Sequence, residues 1–235
     1  MPTQTNEYPT KAYGATSPQS GVGPMQITRR GLRDDDVLIE ISHCGICHSD
    51  LHSARNDWGR TTYPIVPGHE IVGTVAAVGD AVTRHAVGDR VAIGCMVDSC
   101  MECTHCEADF EQYCLDGGMT GTYNGTDRRD GSPTHGGYSE RIVAREEFVL
   151  KVPDGLPMAE AAPLLCAGIT TYSPLRTWKV GPGTRVAVAG LGGLGHMGVK
   201  IAAAMGAEVT VLSRSESKRA VAEKLGAHAF LNTTD

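Results

Sequence analysis

A mostly antiparallel β unit followed by a parallel α/β unit is the fold class this sequence predicts. Three observations predict it. Before Pro153, short runs alternate apolar and polar residues between glycine-rich turns, the period-two pattern of half-buried strands. After Pro153 the texture turns to helix formers, then to strand, helix, strand, helix, strand, the order of a parallel crossover unit. The chain also has 29 glycines and only three phenylalanines. Its core must be built from Val, Ala, Leu and Ile around many turns and close backbone approaches.

The strand-like runs, in order, are "DVLIEISHCGIC" (36–47), "EIVGTVAAVG" (70–79), "HAVGDRVAIG" (85–94) and "GGYSERIVAREEFVLKVP" (136–153). They define a first domain, residues 1–153. A second, residues 154–235, opens with the helix-rich "MAEAAPLLCAGITTYSPL". Within it the pattern predicts a strand at Arg185–Ala189, a helix at about Gly193–Met205, a strand at Glu208–Leu212, a helix at about Glu216–Leu225 and a strand at about His228–Leu231. No internal repeat or low-complexity segment interrupts the chain.

Between the third and fourth runs stands "CMECTHCEADFEQYC", with Cys100, Cys103, Cys106 and Cys114 spaced C-x2-C-x2-C-x7-C. The short gaps let successive sulfurs turn inward around one ion, and the long gap lets the chain return to close a tetrahedron. Zinc takes four thiolates in this way. A bacterial ferredoxin cluster also begins C-x2-C-x2-C, but its fourth cysteine follows after three residues and precedes proline; here the gap is seven and Leu115 follows. A structural zinc lobe at about 95–118 is therefore expected, with backbone N–H groups around the sulfurs to offset the net charge of −2.

The bulk numbers narrow the rest. A length of 235 residues suits one large domain or two modest ones. The net charge of −6 leaves no basic footprint for nucleic acid. No apolar run approaches the roughly 20 residues of a membrane-spanning helix, and the start lacks the charged head and apolar middle of a signal peptide. A cytoplasmic, reducing location is the expectation. There the eight cysteines read as metal ligands or reactive thiols rather than as disulfides.

In the second domain "GLGGLG" places Gly190, Gly192 and Gly195 as G-x-G-x-x-G, with Gly193 and Leu194 inside the run. The pattern follows a predicted strand and opens a predicted helix, the context in which it cradles a dinucleotide pyrophosphate. About 20 residues on, an acidic side chain would bind the ribose 2′-OH of NAD. Ser213 stands there instead, followed by Arg214, Ser215 and Lys218. Hydroxyls and cations suit a 2′-phosphate, so NADP(H) is expected. Glu216 is expected in a first helical turn, facing solvent.

Other chemistry-bearing residues are scattered: Cys47, His48, Ser49, Asp50 and His52 in "CGICHSDLH", His69 and Glu70 in "PGHEIVG", and Cys166 in "LLCAGITTY". Spacing alone does not unite them. Taken singly, His69 is a turn histidine, Cys166 a small core residue and Ser49 a helix N-cap. Together, however, "GICHSDLH", "PGHEIVG", the four-cysteine stretch, "LLCAGITTYSPL" and "GLGGLGHMG" occur in an order and at distances that resemble a zinc-dependent medium-chain alcohol dehydrogenase, closest to the cinnamyl alcohol dehydrogenase-like branch. The likeness runs from about Asp36 to the end.

That resemblance implies a GroES-like catalytic domain followed by the first half of a doubly wound Rossmann sheet. It implies two zinc ions per chain, one structural and one catalytic, the latter held by Cys47, His69 and Cys166, with Glu70 as alternative ligand or supporting carboxylate. Asp50 would orient His69, and Cys44 would be a packed thiol. Ser49 and His52 would relay a proton. His48 would lie near the pyrophosphate, Thr170 beside the nicotinamide and Trp58 in the substrate pocket. The implied activity is NADP(H)-dependent interconversion of small-molecule alcohols and aldehydes, chiefly aldehyde reduction. A polyol dehydrogenase and a quinone reductase of the same superfamily are rivals; the zinc ligands count against the reductase, and the "SRSESK" run and Trp58 against the polyol enzyme. Three predicted strands are half of a six-stranded sheet in the order 3-2-1-4-5-6. A fragment, or half of a split enzyme, is thus expected, lacking the family's homodimer contact and inactive or prone to aggregate alone.

Overall fold

The computed structural model describes residues 7–234; residues 1–6, part of the start that lacks a signal-peptide pattern, and residue 235 lie outside that range. The chain divides into a unit ending at Leu165 and a unit beginning at Cys166.

The first unit opens with an antiparallel hairpin of β1 (Tyr8–Gly14) and β2 (Gly23–Arg29). No strand is predicted there from the sequence, because the inward positions of β1 are small: Thr10, Ala12 and Gly14. β3 (Asp36–Cys44) leads through a short turn into α1 (His48–Arg55). β4 (Ile71–Val78), β5 (Arg90–Ile93), β6 (Met96–Asp98), β7 (Thr120–Gly121), β8 (Arg141–Arg145) and β9 (Leu150–Lys151) follow, then the short α2 (Met158–Ala161).

Five of these strands form one antiparallel sheet in the order β8–β3–β4–β5–β9. Val37, Ile39, Ile71, Val75, Val91, Ile93 and Ile142 form its core, as the alternating apolar pattern requires. The run 136–153 is not one strand: a 3-10 turn at Glu146–Phe148 breaks it, and β8 and β9 close opposite edges of the sheet. The composition changes at Pro153, whereas the contacts divide at Leu165, because Ala161 and Ala162 pack against Val72, Ala92 and Val152 of the sheet unit.

The β3–β4 pairing positions the site. Cys44, at the end of β3, lies opposite Ile71, at the start of β4. The next residues along each strand, Gly45–Cys47 and Glu70–Gly68, therefore emerge at the same end of the sheet, and the Gly45 N–H bonded to the Glu70 carbonyl at 2.9 Å extends the pairing by one step.

The second unit contains α3 (Ala167–Thr177), β10 (Arg185–Ala189), α4 (Gly193–Ala204), β11 (Glu208–Ser213), α5 (Arg219–Lys224) and β12 (Ala229–Asn232). The three strands are parallel, in the order β10–β11–β12. Val199 and Ala202 of α4, Val209 and Val211 of β11 and Ala222 of α5 form the buried core. The predicted helix at 216–225 is present as a 3-10 turn, Glu216–Lys218, running into α5.

Candidate metal centres and cofactor loop

The four thiols of the 100–114 stretch converge. One sulfur from each of Cys100, Cys103, Cys106 and Cys114 lies within 4.8 Å of all the others. Cys103 and Cys106 are 3.5 Å apart, Cys100 and Cys106 3.8 Å. Four sulfurs each about 2.3 Å from one zinc ion would sit about 3.8 Å apart, so this donor set fits zinc. No disulfide joins any of the eight cysteines.

Backbone N–H groups point at the sulfurs: Cys103 to Cys100 at 3.3 Å, Leu115 to Cys103 at 3.4 Å and Cys100 to Cys114 at 3.5 Å. Such bonds favour the thiolate. The Leu115 and Cys106 N–H groups lower the Cys103 thiol to about 6, and the Cys100 N–H lowers Cys114 in the same direction.

The second centre lies where β3 and β4 end. Cys47, His69 and Glu70 offer ligand atoms within 4.8 Å of one another. His69 and Glu70 are buried at 5% and 4% exposure. Cys47 caps the N-terminus of α1, and its N–H donates to Asp50 Oδ2 at 2.9 Å. Ser49 is thus not the N-cap; it lies half-buried in the first turn. Cys166 is the residue that opens the second unit.

Asp50 is only 3% exposed and accepts four hydrogen bonds. Oδ1 takes the His69 Nδ1–H at 2.9 Å and the Gly68 N–H at 3.0 Å; Oδ2 takes the Cys47 N–H and the Tyr138 hydroxyl, each at 2.9 Å. Burial alone would raise its pKa, but the His69 bond and the backbone donors outweigh burial and hold the carboxyl below its usual range. A carboxylate that accepts from Nδ1 leaves the histidine's Nε2 lone pair for a metal. Cys44 is absent from the donor group and packs against the sheet core. Burial pushes its thiol up to about 12, which leaves it protonated and inert.

On α1, His52 Nδ1 lies 2.8 Å from Asp57 Oδ2. Its ring stands between His48, at 5.4 Å, and Trp58, at 5.2 Å, and Arg60 covers the outer face of Trp58. Asp57 was not among the sequence-derived candidates. It reaches His52 because Asn56 ends α1 in the left-handed conformation at φ 58°, turning the chain back so that the Asp57 N–H bonds to the His52 carbonyl. An asparagine one step past a helix end is the signal that marks this turn. Trp58 is half exposed, and His48 is exposed at the start of α1.

In the second unit, the Gly190–Gly195 run joins β10 to α4. Gly190 has φ +86°, and a Cβ on Gly195 would meet the Gly190 carbonyl oxygen at 1.9 Å, so both positions require glycine. Around Gly192 and Gly193 the space is open, and these two with Leu194 are exposed. Gly192 caps α4 without a side-chain bond, so the first N–H groups of the helix remain for an anion. Ser213 is buried at the end of β11 and accepts the Ser215 N–H at 3.3 Å. Arg214 and Ser215 are exposed. Lys218 reaches back to the Leu191 carbonyl at 2.9 Å, tying the strand end to the glycine run. Glu216 pairs with Arg219 at the surface. Thr170 is exposed on α3.

Comparison with known proteins adds the following. Residues 33–154 match the family described as alcohol dehydrogenase GroES-like domain, and residues 193–235 match zinc-binding dehydrogenase. NADP-dependent alcohol dehydrogenase C 1 of Mycolicibacterium smegmatis is 58% identical over 224 residues, covering 95% of this chain and 64% of that protein. Aldehyde reductase YahK of Escherichia coli is 54% identical with the same coverage. A cinnamyl alcohol dehydrogenase from Helicobacter pylori, solved with NADP(H), superposes with a TM-score of 0.92 at 45% identity, covering 95% of this chain and 64% of that one. The chain thus spans about 64% of the length of the relatives it matches. Among the described residues no helix is long and apolar enough to cross a membrane.

Proposed function

Because the chain belongs to the zinc-dependent medium-chain alcohol dehydrogenase family, in its cinnamyl alcohol dehydrogenase-like branch, we propose that it serves NADP(H)-dependent interconversion of alcohols and aldehydes, with aldehyde reduction the cellular direction. The observation that carries this reading is the set of half-buried Cys47 with buried His69 and Glu70 at one end of the β3–β4 pair, with Asp50 bonded to His69.

A catalytic zinc would be held by Cys47, His69 and Cys166, with Glu70 beside them, and a structural one by the four clustered thiolates. When bound, zinc supplies a Lewis acid for a neutral oxygen and the nicotinamide supplies the hydride. Two thiolates and a neutral imidazole balance a +2 ion. Asp50 accepts the Nδ1–H, which makes Nε2 the ligating nitrogen and fixes the ring in orientation. Ser49 and His52 lie on successive turns of α1, where a hydroxyl and an imidazole carry a proton between a water-poor pocket and solvent. Asp57 holds the His52 ring for that exchange. Gly192, Gly193 and Leu194 would admit the pyrophosphate to the α4 N-terminus, and Arg214 and Ser215 would meet the 2′-phosphate, with Lys218 bracing the strand end against the glycine run. Trp58 supplies an aromatic wall, which favours flat or bulky aldehydes.

The test is metal analysis together with titration of NADPH and NADH. Two zinc ions per chain and tighter binding of NADPH are expected. Visible absorbance from iron, or equal affinity for NADH, would overturn the metal or the cofactor assignment respectively.

A further inference from the structure

Tyr138 bears on this site although neither the metal donors nor the relay include it. It lies in the turn before β8, and its hydroxyl supplies the fourth hydrogen bond to Asp50. A carboxylate has about four lone-pair sites. Here each oxygen takes two donors, so the group cannot twist without breaking a bond. Three of the donors come from the two segments that carry Cys47 and His69. Tyr138 is the only one of the four that arrives from a distant part of the chain.

The turn that brings it is clamped from both sides. Facing the His69 segment, the Gly136 N–H bonds to the Val66 carbonyl at 2.7 Å, Gly137 to Gly68 at 2.8 Å and Tyr138 to Pro67 at 3.0 Å. Gly68 has φ +102°, and a Cβ there would meet the Tyr138 backbone nitrogen and ring at 2.8 Å, so the two segments touch. On the other side stands Arg29, 8% exposed. Its guanidinium donates to the carbonyls of His135, Gly136 and Arg141 and to Ser139 Oγ, at 2.6–2.9 Å. None of these partners is a carboxylate. The charge is spent on holding the 135–141 turn in shape.

We propose that Tyr138 is a positioning residue: its hydroxyl adds a bond to Asp50 and so holds His69 as the Nδ1–H tautomer, with Nε2 as its ligand atom. The metal half of this inference rests on the reading of His69 as a zinc ligand; the tautomer half does not. Without the hydroxyl, Oδ2 keeps one donor, the carboxylate gains a rotation, and the His69 ring gains both a second tautomer and a wider range of tilt. A ring that merely packs would leave all of this unchanged when the hydroxyl is removed.

Tyr138→Phe retains the ring and deletes the oxygen. In the metal-free protein, 15N shifts of the His69 ring should move from a single Nδ1–H tautomer toward an exchanging mixture. In the zinc-loaded protein, chelator competition should show zinc affinity at the Cys47–His69 centre lowered roughly tenfold or more, while the four-cysteine site, far along the chain, keeps its affinity and reports an intact fold. Unchanged ring shifts together with unchanged affinity would overturn the proposal. Should the variant not fold, the unsubstituted protein decides: a slowly exchanging Tyr138 hydroxyl proton supports the bond, and exchange as fast as that of the exposed Tyr13 overturns it. A parent protein that loads zinc only at the four cysteines would sink the proposed function, while the ring shifts would still decide Tyr138.

Discussion

Arg214 shows how far a single residue can be assigned. Ser213 is buried and its hydroxyl already accepts the Ser215 N–H. Lys218 is committed to the Leu191 carbonyl. The exposed cation left at the end of β11 is Arg214, so discrimination between the two nicotinamide cofactors should fall on it. Arg214→Ala should weaken NADPH binding about 10- to 100-fold, the value of a charge-assisted hydrogen bond, and change NADH binding little. Fluorescence titration with both cofactors checks this; equal loss would remove the 2′-phosphate argument. At the same scale, the sequence reveals His52 but not Asp57. A motif names residues at fixed spacing, whereas Asp57 acquires its partner only from the left-handed turn at Asn56. The N-cap shows the opposite failure: serine is the commoner cap by chemistry, yet the cap is Cys47, because the β3–β4 register sets where α1 begins.

At the scale of elements, the glycine run separates two roles that the pattern alone merges. A side chain at Gly195 collides with the Gly190 carbonyl, whereas one at Gly192 enters open space. Gly195→Ala should therefore destabilise the second unit by roughly 1–3 kcal/mol, the usual cost of overpacking. Gly192→Ala should stay within about 1 kcal/mol of the parent, as for a poorer N-cap, and instead lose NADPH affinity by filling the cradle. Thermal unfolding and cofactor titration of both variants distinguish these effects, and identical behaviour would contradict the geometry. The strands of the second unit were legible because β-branched residues alternate with others between glycine-containing turns, and Arg185–Ala189 falls where it was expected although its residues are exposed or half-buried. The β1–β2 hairpin was not, since small inward residues carry no hydrophobic period. The split of 136–153 into β8 and β9 was hidden for a related reason: Phe148 and Val149 continue the apolar rhythm straight through the turn that separates them.

Across the whole molecule, charge is distributed unevenly. In the first unit Arg33 pairs with Asp127 and Asp130, Arg30 with Asp36, Arg129 with Asp35, and Arg145 with Asp35 and Asp98. These pairs pin residues 127–130 to the β2–β3 connection. The Arg129 bond holds the Asp35 carboxyl down at about 2, and the Arg33 bond, against burial, holds Asp127 below its usual range. A carboxyl depressed in the folded state contributes stability that is present above its unfolded value near 4 and is lost as pH falls through the folded value. Hydrogen exchange between pH 5 and pH 2 should therefore show residues 127–133 losing protection before the β10–β11–β12 sheet. Simultaneous loss would mean that these pairs hold nothing at neutral pH. The network was not legible in sequence, because its partners, Arg145 and Asp35 among them, lie as much as 110 residues apart; the four-cysteine centre was, because all its donors fall within one short stretch.

The Tyr138–Asp50 bond spans 88 residues, and this has a consequence for biosynthesis. Cys47, Asp50 and His69 leave the ribosome first. At about 5–20 residues per second, roughly 4–18 s of elongation pass before Tyr138 is even made. During that interval a nascent chain already exposes thiol and imidazole donors without the clamp that orders them, so the proposed loading of the Cys47–His69 centre with zinc belongs after translation of this segment rather than during it.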